Sequence, residues 1–324
     1  MKRIATLALA ALGLFVFAAQ GSAQQYPSHT ITIIVPYPAG GPTDTTAREI
    51  ASALADKLKQ NVIVENVTGG GTIVATNKLA QATPDGYTLL LHNLQISANA
   101  TLYKNLPFDT EKDLTPIMLV NKNPLVLLGR NTLEPKNFTE LLALMKKQTL
   151  KAAIPGYGAT GHLTTTLLAE ETKVNIDQIP YRGSAPAMND LLGGHVDLFI
   201  ATPQAAVPQV KAQKLKAYAV TSKEKLPDLP TAAPLGTVLG PKFDIVYWQA
   251  LFAPAKTPSA VVNKLNATLQ QIVMDPALVK RWKVEGFDAF PKDQLSVGAA
   301  KTFIKSEIAR WGKVITDNNI KINQ

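Results

Sequence analysis

Short β-rich runs alternate along the chain with segments whose apolar residues recur at helical spacing. "TITIIVP" precedes a helix expected over residues 43–58, "NVIVEN" precedes one over 72–82, and "GYTLLL" runs into a polar segment containing "HNLQIS". In the first of these helices Ala47, Ile50, Ala51, Leu54 and Leu58 fall three and four apart and make one apolar face, while Arg48, Glu49, Asp56 and Lys57 take the other. This is the rhythm of parallel α/β units. It restarts after Pro124 with "LVLLG", a helix over 138–147, "LKAAIP", a helix over 161–172, "DQIPY", a helix through 188–192, "HVDLFIA" and "KLKAYAVT". The proline-rich stretch 222–241 has little periodicity and is expected to wrap a surface. "FDIVYWQALFAP" then reads as an apolar strand crossing back, before helices over 258–273 and about 293–316, where helical spacing puts Trp311 in the core.

One passage outward and one return imply two crossing strands, near 121–125 and 245–251, acting as a hinge. The expected division is a leader over 1–23, a first lobe of 24–123 plus 247–324, and a second lobe of 124–246. A chain of this length buries a large core unaided and commonly divides in two.

The first residues bear on compartment. Lys2 and Arg3 precede an apolar run over 4–19 and small residues ending at Ala23, the pattern of a secretory signal peptide cleaved after Ala23. The apolar run is short for a membrane span, so a soluble, exported, periplasmic chain is expected. There are no cysteines to staple it. Of 33 basic residues, 31 remain after removal of Lys2 and Arg3, against 24 acidic ones, a balance of +7. That excess weakly suits an anionic ligand. The basic residues are scattered, with no stripe of interleaved aromatics, which argues against nucleic acid.

Three times a strand ends in a small-residue turn that opens a helix: "PAGGPTD" (38–44), "VTGGGTI" (67–73) and "GYGATGH" (156–162). Free amides at a helix start, aligned with its dipole, favour an anion, and glycine lets the anion approach. The first turn lacks the Lys-Ser/Thr ending of a phosphate-binding P-loop. Gly156, Gly158 and Gly161 match the dinucleotide pattern G-x-G-x-x-G, with Asp177 some twenty residues on. However, Asp177 precedes "QIPY" instead of ending the second strand, and an exported protein meets little NAD. None of the four histidines belongs to an H-E-x-x-H motif, and "RGSAP" around Ser184 is not a nucleophile elbow. No cofactor, metal or catalytic group is expected.

Taken together, "VPYPAGGPTDTTAR", "VENVTGGGTIVAT", "PDGYTLL", "GYGATGHL", "IPYRGSAPAMNDLLGGHVDLFIATP" and "APAKTPSAVVNKLN" resemble the Bug family. These are the extracytoplasmic solute-binding receptors of tripartite tricarboxylate transporters. The resemblance runs in order from Tyr26 to the C-terminal helix. It implies an α/β, two-lobed periplasmic binding protein, a Venus flytrap with crossing hinge strands. Such a receptor is a monomer without enzymatic activity that closes on a small carboxylate and delivers it to the membrane subunits of its transporter. A periplasmic sensor-binding protein presenting the same ligand to a membrane sensor is the alternative.

Carried onto this chain, the family's ligand contacts become Ala39, Gly40, Gly41, Thr43 and Asp44 in the first loop. The facing loop supplies Tyr157, Gly158, Ala159, Thr160, Gly161 and His162, with Thr202 as a neighbour and His92 and Asn93 at the distal end of the ligand. Tyr37, beside the first turn, is a candidate floor of the cleft, as is Tyr157. The second turn departs from the family pattern, with Thr68 where proline is common and Ala75-Thr76 after Val74, which puts Gly69–Gly71 in doubt as direct contacts. A carboxylate at Asp44 would repel a ligand carboxylate, so its expected role is to organise the loop while Thr43 donates. Thr46 with Glu49 fits a capping box. His162 opens a helix, whose dipole keeps an imidazole neutral. A dicarboxylate is the expected ligand, since His92, Asn93 and the basic balance suit a second anion; aromatic carboxylates and amino acids remain open.

Overall fold

The computed structural model describes residues 26–322, so the expected signal peptide lies outside the described residues. The chain first lays down β1 (Ile31–Val35), α1 (Pro42–Leu58), β2 (Val62–Asn66), α2 (Ile73–Ala80), β3 (Thr88–Asn93), α3 (Gln95–Leu102) and β4 (Leu114–Pro124). It then repeats the alternation as β5 (Val126–Arg130), α4 (Phe138–Met145), β6 (Leu150–Ile154), α5 (Thr160–Thr172), β7 (Ile176–Pro180), α6 (Ser184–Leu192), β8 (Leu198–Ala201), α7 (Pro203–Lys211) and β9 (Leu215–Val220). The proline-rich stretch forms the short β10 (Ala233–Pro234) and α8 (Leu235–Val238). The chain closes with β11 (Val246–Pro254), α9 (Ser259–Val273), α10 (Pro276–Glu285), β12 (Asp288–Ala289) and α11 (Val297–Asp317).

Two six-stranded sheets result, in the orders β12-β4-β11-β3-β1-β2 and β10-β9-β5-β8-β6-β7. Each has the same plan. Three parallel strands (β2, β1, β3 and β7, β6, β8) are followed by one antiparallel strand arriving from the other sheet, β11 or β5. The inner parallel strands β1 and β3 are buried on both faces, which is why "ITIIV" and "TLLL" read as nearly unbroken apolar runs. Helix α1 seats Ala47, Ile50 and Leu54 on the first sheet without exposure, as its spacing predicts.

The chain crosses between sheets at Leu125 and again at Ile245. Thr221 joins the two crossings. Its hydroxyl accepts from Leu125 N–H at 2.8 Å and donates to the Ile245 carbonyl at 2.6 Å, while its own amide donates to Leu125 O at 2.9 Å and its carbonyl accepts from Ile245 N–H at 3.0 Å. The position is fully buried, so all four bonds are protected from water.

Three local readings change. "HNLQIS" is more than a polar segment: β3 runs through Asn93 and α3 opens at Gln95, and the side chains of His92, Asn93 and Gln95 find partners inside the fold. Helix α1 starts at Pro42 with Gly41 as its N-cap, which puts Thr46 inside the helix and rules out the capping box. Glu49 instead accepts from Trp282 Nε1 at 2.8 Å and Arg281 Nε at 3.0 Å, tying α1 to α10. Trp311 is buried as expected, and its indole donates to Glu307, which also accepts from Trp248.

Candidate functional site

In open α/β sheets ligands bind beyond the carboxyl ends of the parallel strands, and here both sheets turn those ends toward one cleft. Six strand-to-helix turns meet there: β1–α1, β2–α2 and β3–α3 from the first sheet, and β6–α5, β7–α6 and β8–α7 from the second. They enclose two adjoining chambers that share Tyr37, Pro38, Pro155 and Gly183. The inner chamber encloses about 40 Å³ and has no ionisable group but the phenols of Tyr37 and Tyr247 in its lining. The outer one, about 600 Å³, is more open.

Four helices aim their N-termini at the inner chamber, through Gly41–Thr43 of α1, Ala159–Gly161 of α5, Gly183–Ala185 of α6 and Thr202 of α7. None of the four N-caps is satisfied by a side chain. The first-turn N–H groups of each helix have no partner within it, and each dipole presents its positive end. Thr202 stands at the N-cap of α7, where a threonine hydroxyl ordinarily accepts from the helix. Here its Oγ1 is buried and unpartnered, and so is that of Thr160. Leaving a hydroxyl buried without a partner costs free energy. An acceptor group in the chamber would satisfy both.

The first-lobe wall is ordered by a hydroxyl network. Tyr247 on β11 accepts from Asn93 Nδ2 and Gln249 Nε2, each at 3.3 Å, and its own hydroxyl lies 2.9 Å from Thr43 Oγ1. The Tyr247 hydroxyl thereby holds Thr43 at the wall of the chamber. Asn93 is fixed from its other end, where Oδ1 lies 2.9 Å from Tyr37 Oη and accepts from Gln95 N–H at 3.0 Å. Burial raises the pKa of both Tyr37 and Tyr247, so both remain protonated donors.

The lobes touch across the cleft. Gln95 Nε2 donates to the Tyr157 carbonyl at 2.8 Å. Gly158 packs so closely on α3 that a Cβ there would lie 2.9 Å from Asn99 Oδ1 and 3.0 Å from Leu102 Cδ1. Pro38 closes on Gly183, and Gln204 Nε2 meets Glu285 Oε2 at 3.3 Å. This is a closed arrangement.

Of the expected site residues, Tyr37, Gly41, Thr43, Asn93, Ala159, Thr160, Gly161 and Thr202 line the inner chamber, and Tyr157 lines the outer. The others do not, for identifiable reasons. Ala39 and Gly40 sit on the exposed rim, and the Gly40 amide is taken by Asp44 Oδ2 at 2.9 Å. Burial alone would raise the Asp44 carboxyl, but Arg48, the Gly40 amide and Asn66 outweigh it and hold the pKa below its ordinary value. Asp44 thus organises the loop. His92 lies behind the cleft, where Nδ1 accepts from Asn93 N–H at 2.8 Å and Nε2 lies 3.1 Å from Thr72 Oγ1. Burial pushes its pKa down to about 3, so it offers no charge to a second anion. His162 Nδ1 accepts from Gly158 N–H at 3.1 Å, and burial pushes its pKa down to about 4. It shapes the facing loop from behind.

Sequence reasoning missed Gly183–Ala185 and Tyr247. Gly183 opens α6 as the other glycine turns open theirs, so the same signal was present in "RGSAP". Tyr247 gave none, because its role depends on the pairing of β11 with β3 and β4.

A family model described as the tripartite tricarboxylate transporter family receptor matches residues 46–320. The fold is similar to that of the periplasmic binding protein BugD, at 35% identity and a TM-score of 0.87 over 91% of this chain and 99% of that one. It is also similar to MatC from Rhodopseudomonas palustris with bound malate, at 32% identity and a TM-score of 0.85 over 90% and 100%. A third similar structure is R. palustris Rpa4515 with adipate, at 28% identity and 0.86 over 91% and 99%.

Proposed function

The chain belongs to the receptor family of tripartite tricarboxylate transporters, the Bug family, and from that premise we propose that it captures a small carboxylate in the periplasm for delivery to such a transporter. The inner chamber carries this reading. Four uncapped helix N-termini and two unpartnered threonine hydroxyls converge on a space walled otherwise by neutral groups. Amides and hydroxyls supply what a carboxylate accepts, and the dipoles supply the counter-charge.

A micromolar ligand requires about 8 kcal/mol, and charge-assisted hydrogen bonds contribute about 1.5 to 3 kcal/mol each. Roughly four to six such bonds are therefore sufficient, and the chamber offers donors for them without an arginine. The two related structures that hold malate and adipate support a dicarboxylate as the ligand. The lobe boundaries belong to the same proposal: 24–123 with 247–324, and 124–246, meeting at the Thr221 clamp.

Native mass spectrometry of the gently purified protein, followed by calorimetric titration with the acid it retains, tests the binding step. A retained small acid that rebinds unchanged is expected. A protein whose melting temperature and heats respond to no carboxylate would refute the reading. Growth on that acid with and without the gene tests delivery, and loss of uptake is the expected result.

A further inference from the structure

The inner chamber is too small for a whole ligand. About 40 Å³ is room for three or so water-sized groups, a carboxylate and little more. The rest of any larger acid must extend past Tyr37, Pro155 and Gly183 into the outer chamber. One ionised side chain lines that chamber, Arg182 in the β7–α6 turn. Among the described residues Arg182 takes part in no ion pair, and it is exposed. Asp190, the next acid after it along the chain, accepts from the Tyr181 hydroxyl at 2.6 Å.

We propose that the outer chamber is the selectivity subsite, and that Arg182 there receives the second carboxylate of an extended α,ω-dicarboxylate. This rests on the carboxylate reading of the inner chamber and adds which acids are chosen. Facing Arg182 across the cleft is the Gly69–Gly71 turn of the first lobe, three consecutive glycines with positive φ of 127°, 54° and 60°. Without side chains, such a turn tolerates close approach of a ligand to its backbone. A distal anion would thus bridge a guanidinium on one lobe and a glycine turn on the other. A distal methyl group would offer the guanidinium no partner. Discrimination then comes from the mismatch as much as from the match.

The subsite differs in kind from the inner chamber. Its single charge is partly in water, so its contribution is screened by salt, whereas neutral donors in the enclosed inner chamber are not. The preference for diacid over monoacid should therefore shrink as ionic strength rises.

The test uses linear dicarboxylates of four to eight carbons and monocarboxylates of the same lengths, titrated into the wild type and Arg182→Gln. In the wild type at least one diacid binds tenfold or more tighter than its matched monoacid. In Arg182→Gln that ratio falls to within about twofold of unity, with Arg182→Lys between them and all three proteins melting alike. An unchanged ratio in Arg182→Gln, or equal affinity for diacid and monoacid in the wild type, overturns the subsite while leaving the inner chamber standing. Failure of every acid to bind either protein overturns the carboxylate reading and the subsite with it.

Discussion

Replacing Gly158 by alanine should weaken ligand binding by blocking closure. Gly158 has φ +80°, which costs an L-residue about 1 to 2 kcal/mol in the open and the closed protein alike. The added Cβ meets Asn99 and Leu102 at 2.9 and 3.0 Å, and both belong to α3 of the other lobe. That collision exists only when the lobes are together. Overpacking of this kind costs about 1 to 3 kcal/mol, so affinity should fall about 5- to 150-fold. Gly40→Ala is the matched control. Its φ of +82° carries the same backbone strain, but no atom lies within 4 Å of the added Cβ. Calorimetry on both variants, with small-angle scattering to follow closure, separates strain from collision. Gly158→Ala binding within twofold of Gly40→Ala would show that the contact with α3 is not what holds the lobes closed.

The remaining predictions address the donors, the hinge and pH. Thr160→Val and Thr202→Val each remove a buried hydroxyl that has no partner in the protein, so ligand affinity should drop about tenfold while the ligand-free melting temperature stays level or rises; a lowered melting temperature with normal affinity would contradict this. Thr221→Val strands Leu125 N–H and the Ile245 carbonyl and should lose about 2 to 4 kcal/mol in urea unfolding, a loss under 0.5 kcal/mol being evidence against the clamp. Burial lowers His92 to about 3 and His162 to about 4 in the folded state, against about 6.5 when unfolded. The folded state then binds fewer protons below pH 6.5. Their stabilisation is complete above that value and is lost, at up to about 1.4 kcal/mol per group per pH unit, as pH falls toward the folded values. Urea midpoints unchanged from pH 7 to pH 5 would count against it.

The fold was legible because its signals are local. Short β-rich runs alternating with segments of helical spacing located the parallel units, and the single outward and return passages located the two crossings between sheets. The turns β1–α1, β2–α2 and β6–α5 were legible because they carry glycines, in "PAGGPTD", "VTGGGTI" and "GYGATGH", whereas Asn93 and Thr202 came from the family resemblance alone. The β3–α3 turn has no glycine at all, and its run "HNLQIS" read only as a polar segment. His92 was misplaced because alternation along β3 turns it away from the side that Asn93 faces. Which of two adjacent polar residues faces a cleft follows from register with β1 and β11, and register between distant strands is not written in either strand alone.

The distribution of helix N-termini between the lobes suggests why ligand and closure belong together. Helix α1 approaches the inner chamber from the first lobe, while α5, α6 and α7 approach from the second. Bringing four positive dipole ends into a neutral, poorly solvated space is unfavourable without an anion. With an anion among them the same approach becomes favourable, and only the closed form brings all four together. A carboxylate therefore binds the closed state better than the open one, and that difference is what a ligand needs to shift the equilibrium. An arginine inside the inner chamber would hold the proximal carboxylate in the open protein as well, lowering the difference between the states; Arg182 stands outside it, in the outer chamber. Neutral donors divided between the lobes keep affinity at the inner chamber tied to closure.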